Sequence, residues 1–337
     1  MHHLAHGGKI MISRRGALAG FGTALTMSMA PSAAHAVIVN LVVIGKDGWL
    51  FPIWDEVRHV DLKRLKPVVD VLAQAVGIMK KANIQVVFAL TPVKSRVYQD
   101  MLPDDFKFAP DPERRYTESL AQLRALGTLV PDLNAPLVAL RKAQPTQPVF
   151  FKADTHWSAS GAEAAATAMA KDMREKLKLP PSAQPGTKLG APTTMTQEKN
   201  DLAALLPPAE AVKYQLETYP LRSAAPAYGS GLLDDELADV VVVGNSFMQP
   251  RLGFSAMLSN QLGRPVQLVW KVHQYGPYQT LLSYFASDAF KRRKPAVIVW
   301  NSHETDMNVP SNSRDVWGQN LIAPQAFLDA VRKAVGG

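Results

Sequence analysis

Four consecutive valines at 240–243 run directly into Gly244-Asn245-Ser246, and this junction limits what the chain can fold into more than any other feature. An unbroken β-branched run has no polar alternate position, so a strand built from it has to be covered on both faces. The stretch Val-Val-Phe-Ala-Leu at 86–90 has the same character. Such strands belong to parallel sheets, whose crossover connections lay helices on both faces. Shorter apolar runs at 40–44, 149–151, 266–272 and 296–300 are expected as further strands. Stretches with apolar residues three and four apart are expected as helices at 61–82, 112–126, 159–177, 251–262, 279–292 and 324–335. The alternation predicts a three-layer α/β/α sandwich with a mainly parallel central sheet, which binds ligands outside the carboxyl ends of its strands. From 180 to 237 the pattern weakens around two Pro-Pro pairs, and an irregular insertion is expected inside a single domain spanning 37–337.

The N-terminus reads as an address rather than as part of that domain. Ser13-Arg14-Arg15 precedes an apolar Gly/Ala/Met/Leu stretch and a small-x-small ending at Ala34-His35-Ala36, the pattern of a twin-arginine export signal over 1–36. The stretch at 16–30 is shorter and less apolar than the ~20 residues of a spanning helix. The periplasm is therefore the expected compartment, with membrane association only if the signal is retained. The formal charge of +8 permits polyanionic partners without selecting one, and Lys9, Arg14 and Arg15 of the signal supply three of those charges. No nucleic-acid partner is expected.

The chain has no cysteine, so thiol nucleophiles and cysteine-ligated metals are excluded. A serine where a buried strand meets a helix-like turn projects from the carboxyl edge of the sheet, and its own amide there can stabilise an oxyanion. Ser246 fits that position, although a plain N-cap would look the same. A serine nucleophile needs a base, and the base needs a carboxylate to fix its tautomer. Asp154-Thr155-His156 offers both, and an extended backbone would point Asp154 and His156 to one side. Beyond the signal the other histidines are His59, His273 and His303; the last two follow strands and could line the same cleft. His303-Glu304 with Asp154 and His156 invites a metal reading, but no His-Glu-x-x-His or tight ligand repeat supports it. Neither a metal nor a cofactor is expected. The amides of Ser246 and Gly244, with the Asn245 side chain, are the candidate oxyanion donors.

Four segments, in order, resemble the SGNH-hydrolase-like acetyltransferases of exopolysaccharides, the alginate O-acetyltransferase AlgJ/AlgX group. They are Gly45-Lys-Asp-Gly-Trp-Leu-Phe51, Thr91-Pro-Val-Lys-Ser-Arg-Val-Tyr98 with Leu102-Pro103, Asp154-Thr-His-Trp157 with Gly161-Ala162, and Gly244-Asn-Ser-Phe247. The resemblance implies Ser246 as nucleophile with His156 and Asp154 completing the triad, in an order that places Asp-x-His before the serine. Lys94, Tyr98 and Trp157, which stand in the shared segments, join the substrate-binding set on the same ground. It further implies a polysaccharide acceptor and an acetyl donor served by a membrane-bound O-acyltransferase. An acetylesterase or a non-catalytic polysaccharide-binding or assembly protein of the same fold would share these features. The chain departs from the group where Asn301 follows Trp300 and Thr305-Asp306 follows Glu304. No appended carbohydrate-binding domain is expected, since the helical pattern after Pro324 runs to the last residues.

Overall fold

The computed structural model describes residues 37–225 and 238–336, so the export signal expected over 1–36 and the stretch 226–237 of the expected insertion lie outside the described residues. The strands, in chain order, are β1 (Val37–Val39), β2 (Val42–Ile44), β3 (Leu50–Pro52), β4 (Gln85–Thr91), β5 (Lys188–Thr196), β6 (Thr218–Ala225), β7 (Val240–Gly244), β8 (Val266–Trp270) and β9 (Val297–His303). The central sheet has the order β4-β9-β7-β8, parallel throughout. The valine strand β7 lies inside it, with Val240 facing Val297 on one side and Val266 on the other.

The lack of alternation in these strands is explained by two cores, one on each face. Val87, Ala89, Val240, Val242, Val297 and Val299 pack against the helix Ala159–Lys176 and the helix Phe254–Leu262. The first of these presents Ala162, Ala165, Ala166 and Ala170, short side chains that let it lie close to the sheet. Val86, Phe88, Val241, Val243, Ile298 and Trp300 point the other way, onto helices Leu65–Lys81, Pro110–Arg124, Pro277–Ala286 and Pro324–Val335. The result is the expected α/β/α layering.

Several expected elements differ in detail. The run 40–44 is a hairpin between β1 and β2, because Asn40 and Leu41 turn the chain at φ 45° and 71°. The run 149–151 makes a single bridge, Phe150 to Trp157, and no strand. The 279–292 helix is two, broken where Ser287 caps the second segment, and a helix at Asn134–Ala143 was not expected. The part of 180–237 that is described is not wholly irregular: β5 and β6 form an antiparallel ribbon. Most of β5 is exposed and the register shifts between Leu189 and Pro192, so no apolar period marks it.

Gly244 occupies a place that admits no side chain. A Cβ there would lie 2.7 Å from Met248 Cγ and 2.8 Å from both Cβ and Oδ1 of Asn301. Gly244→Ala is expected to cost about 1–3 kcal/mol as an overpacked core site, read as a lowered midpoint of denaturant unfolding.

Candidate active site

Ser246 sits just past the carboxyl end of β7, on a short 3₁₀ turn that Asn245 caps by accepting from the Phe247 amide at 3.0 Å. Asn301 of β9 fixes the turn from the side. Its Oδ1 accepts from the Asn245 amide at 3.2 Å, and its Nδ2 donates to Ala89 O and Thr91 Oγ1, each at 2.9 Å. One side chain thus ties together the ends of β4, β9 and β7. Ser246 is partly exposed, and its amide donates to no acceptor among the described residues. Gly244 contributes by its lack of a side chain, and its carbonyl accepts from the Lys271 amide at 3.1 Å.

Asp154 and His156 reach the serine by a turn, not by the extended strand end expected from sequence. Residues 150–157 double back, with the Phe151 amide bonded to His156 O at 3.1 Å. Asp154 Oδ1 accepts from the His156 amide at 2.8 Å, the Asx turn that aspartate forms two residues ahead of itself. The same oxygen lies 2.7 Å from His156 Nδ1, and His156 Nε2 lies 2.8 Å from Ser246 Oγ. A second carboxylate that sequence reasoning missed also faces the ring: Asp201 Oδ2 is 3.3 Å from Nδ1, and its amide donates to Asp154 Oδ2 at 3.1 Å. With only acceptors around Nδ1, that nitrogen carries the proton, and Nε2 is left to accept from the serine hydroxyl.

Burial works against charge on His156, but the bonds to Asp154 and Asp201 outweigh it and hold the imidazole above its ordinary value. Asp154 is buried too, yet the bonds from His156 keep its carboxyl below the usual range. Asp201 is held well below that range, chiefly by its hydrogen bond with His156 and also by Lys199 at 2.8 Å. The site is therefore built to hold an imidazolium once it forms.

Lys94, Tyr98 and Trp157 do not line the cleft, which corrects the expectation that they contact substrate. Lys94 is 1 % exposed, and its Nζ donates to the carbonyls of Leu50, Lys152 and Asp154 at 2.6, 2.9 and 3.0 Å. Burial brings its pKa down to about 7, against the pull of Glu217 and Asp154. The Tyr98 hydroxyl accepts from the Val149 amide at 3.0 Å, and its ring stacks on Trp49. Trp157 is fully buried, stacks on Phe254 and donates from Nε1 to Phe247 O at 2.8 Å, which locks the histidine turn to the serine turn. Shared motif residues can hold a site without touching its ligand. Glu217 does the same from β5–β6's connecting segment, its Oε1 accepting from the Lys152 and Ala153 amides at 2.6 and 3.2 Å. Lys94→Met would take the ammonium donor from the buried carbonyls of Leu50 and Asp154, each such loss costing about 1–3 kcal/mol, while Lys152 O keeps the Leu50 amide at 3.0 Å. It should lower the thermal midpoint and weaken any Ser246-dependent ester release together, because Asp154 loses its anchor.

The remaining sequence candidates separate. His59 is exposed, and the hydrogen bonds of Ser246, His156 and Asp154 do not include it. Glu304 is buried in an ion cluster with Arg96 at 2.7 Å and Arg115 at 3.1 Å, and cannot serve as the metal ligand considered beside His156. The side chains grouped closely enough to hold a metal among the described residues are Asp154, His156 and Asp201, with ligand atoms within 4.8 Å of one another. Those atoms are the ones that bond each other through the Nδ1 proton, so the donor set is committed to the relay. His303 and His273 come close to the triad: His303 stacks on Phe247 with ring centroids 5.3 Å apart, His156 meets the same Phe247 ring at 4.9 Å in a tilted contact, and His273 meets His303 at 6.2 Å.

A parallel α/β/α sheet that carries a serine at the end of a central strand, bonded to a histidine–aspartate pair, defines an SGNH-hydrolase-like protein. The family model of the SGNH hydrolase-like domain of acetyltransferase AlgX matches residues 42–304, and the chain belongs to the AlgJ/AlgX family of alginate O-acetyltransferases. It is 30% identical over 276 residues to the probable alginate O-acetylase AlgJ of Pseudomonas putida, a match covering 78% of this chain and 69% of that one. The corresponding protein of Pseudomonas aeruginosa is 29% identical over 292 residues, 80% of this chain and 71% of that one. The solved O-acetyltransferase domain of Pseudomonas putida AlgJ superposes with a TM-score of 0.71 at 26% identity, over 87% of this chain and 99% of that one. Pseudomonas aeruginosa AlgX, at 17% identity and a TM-score of 0.64 over 86% of this chain and 66% of that one, shares the fold.

Proposed function

We propose that this protein is a periplasmic O-acetyltransferase that moves an acetyl group through Ser246 onto hydroxyls of an exported polysaccharide of the alginate type. The observation that carries the reading is the unbroken relay from Ser246 Oγ through His156 to Asp154. It also speaks against a non-catalytic binding protein, which has no use for a buried histidine–carboxylate pair aimed at a serine. In the first half-reaction Nε2 takes the hydroxyl proton as Oγ bonds the acetyl carbonyl carbon, and the proton passes to the departing donor alcohol or thiol. In the second, Nε2 takes a proton from a sugar hydroxyl, whose oxygen bonds the acetyl carbon and releases Ser246 Oγ to recover its proton. The amides of Ser246 and Gly244, with the Asn245 side chain, are the proposed oxyanion donors, and one such donor is worth about 3–4 kcal/mol. The twin-arginine pattern supports the periplasm, and a membrane-bound O-acyltransferase is the proposed source of the acetyl group.

The test is to incubate the purified protein with an activated acetyl ester and alginate-derived oligosaccharides, then follow both protein and sugar by mass spectrometry. An acetyl adduct on Ser246 and acetylated oligosaccharide are expected. Acetate as the sole product would make the protein an esterase and overturn the transferase reading.

A further inference from the structure

A second histidine–carboxylate pair stands beside the triad. His273 Nε2 lies 2.8 Å from Asp306 Oδ1, and Asp306 Oδ2 accepts from the His303 amide at 2.8 Å. Asp306 is buried, while the His273 side chain keeps 35% of its surface. A buried ion pair is weak evidence for stability, because desolvating the carboxylate offsets most of the attraction. Its evident effect is to aim the ring: with Asp306 occupying Nε2, His273 presents Nδ1 to solvent.

The place of this ring follows from the strand order. His273 follows β8 and His303 ends β9, the two neighbours of β7, yet their rings meet at 6.2 Å. They close over the carboxyl end of β7, where the Ser246 turn begins. His303 is stacked on Phe247, the residue after the nucleophile, and His273 is near enough to His156 for their charges to oppose one another. Trp317 backs His273 from the far side at 5.7 Å.

The rim beside His273 has a matching character. Lys271 and Val272 are exposed, and Lys271 Nζ sits 5.5 Å from the Tyr275 ring centroid. Among the described residues no carboxylate pairs with Lys271, although its backbone bonds Gly244, two residues from Ser246. A cation without a carboxylate partner among the described residues, steadied against the Tyr275 ring, and an oriented imidazole for a hydroxyl make a set suited to an acidic sugar.

We propose that His273, held by Asp306, forms with Lys271 and Tyr275 an acceptor subsite that binds a uronate residue and presents its neighbour's hydroxyl to the acetylated serine. The inference rests on the transferase reading for its place in the reaction, but the binding it names can be measured apart from turnover. Lys271 meets the uronate carboxylate, and His273 Nδ1 hydrogen-bonds a sugar hydroxyl.

The experiment uses Ser246→Ala protein, in which no acyl chemistry proceeds, titrated by calorimetry with alginate-derived oligouronates and with neutral cello-oligosaccharides of equal length. Adding Lys271→Ala is expected to weaken oligouronate binding about tenfold at low salt, with the loss shrinking at high salt and no loss for the neutral sugar. Adding His273→Asn should weaken both ligands, with His273→Gln restoring part of the affinity. In the reactive protein, His273→Asn should raise the acceptor KM more than it lowers kcat. Unaltered oligouronate affinity in both variants, with an unchanged thermal midpoint, overturns the subsite. A wild-type protein that yields acetate alone would sink the transferase reading while leaving the titration to decide the subsite.

Discussion

Ser246→Ala is expected to lower acetyl transfer at least about 10⁴-fold, the scale on which removal of a triad member acts in serine hydrolases. No other hydroxyl can take its place: Oγ is the atom 2.8 Å from Nε2. Folding should be spared, because the Ser246 side chain is partly exposed and the turn is held by Asn245 and Asn301 rather than by Oγ. Two readouts separate chemistry from structure. Release of a chromophoric acetyl ester should fall to the background rate, while the denaturant midpoint stays within about 0.5 kcal/mol of wild type, as for a surface substitution. A variant that kept wild-type ester release would remove Ser246 from the mechanism, and one that lost activity together with its unfolding midpoint would reassign it to structure.

The serine was legible because a buried strand announces its own end. Four valines without a polar partner demand cover on both faces, and the residues that follow have to lie at the carboxyl edge. Asp154 and His156 were legible as a pair but for a different geometry, since an Asx turn and an extended strand both bring residues two apart to one side. What the sequence could not reveal sits in the segment with no period. Asp201 approaches His156 from a loop before β6, and nothing in Lys199-Asn200-Asp201 marks it. The roles of Lys94, Tyr98 and Trp157 were hidden for another reason. A shared motif reports that a residue matters, and only the burial of its polar atoms tells whether it meets the ligand or the backbone behind it. Lys94 spends all three ammonium protons on carbonyls, one of them Asp154's own.

Asp154→Asn is expected to lower kcat about 10³–10⁴-fold, since an amide in place of the carboxylate can present N–H to Nδ1 and favour the wrong tautomer. The second carboxylate makes the outcome particular to this site. Asp201 stays 3.3 Å from Nδ1, so it still favours the imidazolium, and Asp154→Asn should retain more activity than the double variant with Asp201→Asn. Asp201→Asn alone keeps the 2.7 Å bond from Nδ1 to Asp154 and should cost roughly tenfold, the reach of one charge-assisted contact. The pH profile tells the two roles apart. His156 has to be neutral to take the serine proton, so activity falls as pH drops through its pKa, which hydrogen bonds to Asp154 and Asp201 raise despite burial. Removing the Asp201 charge weakens that hold on the proton, lowers the pKa, and moves the acid limb of kcat/KM to lower pH while the plateau falls. A plateau that dropped with no movement of the acid limb would make Asp201 a scaffold for Asp154 through its amide alone. A limb displaced to higher pH would contradict the charge assignment of the whole relay.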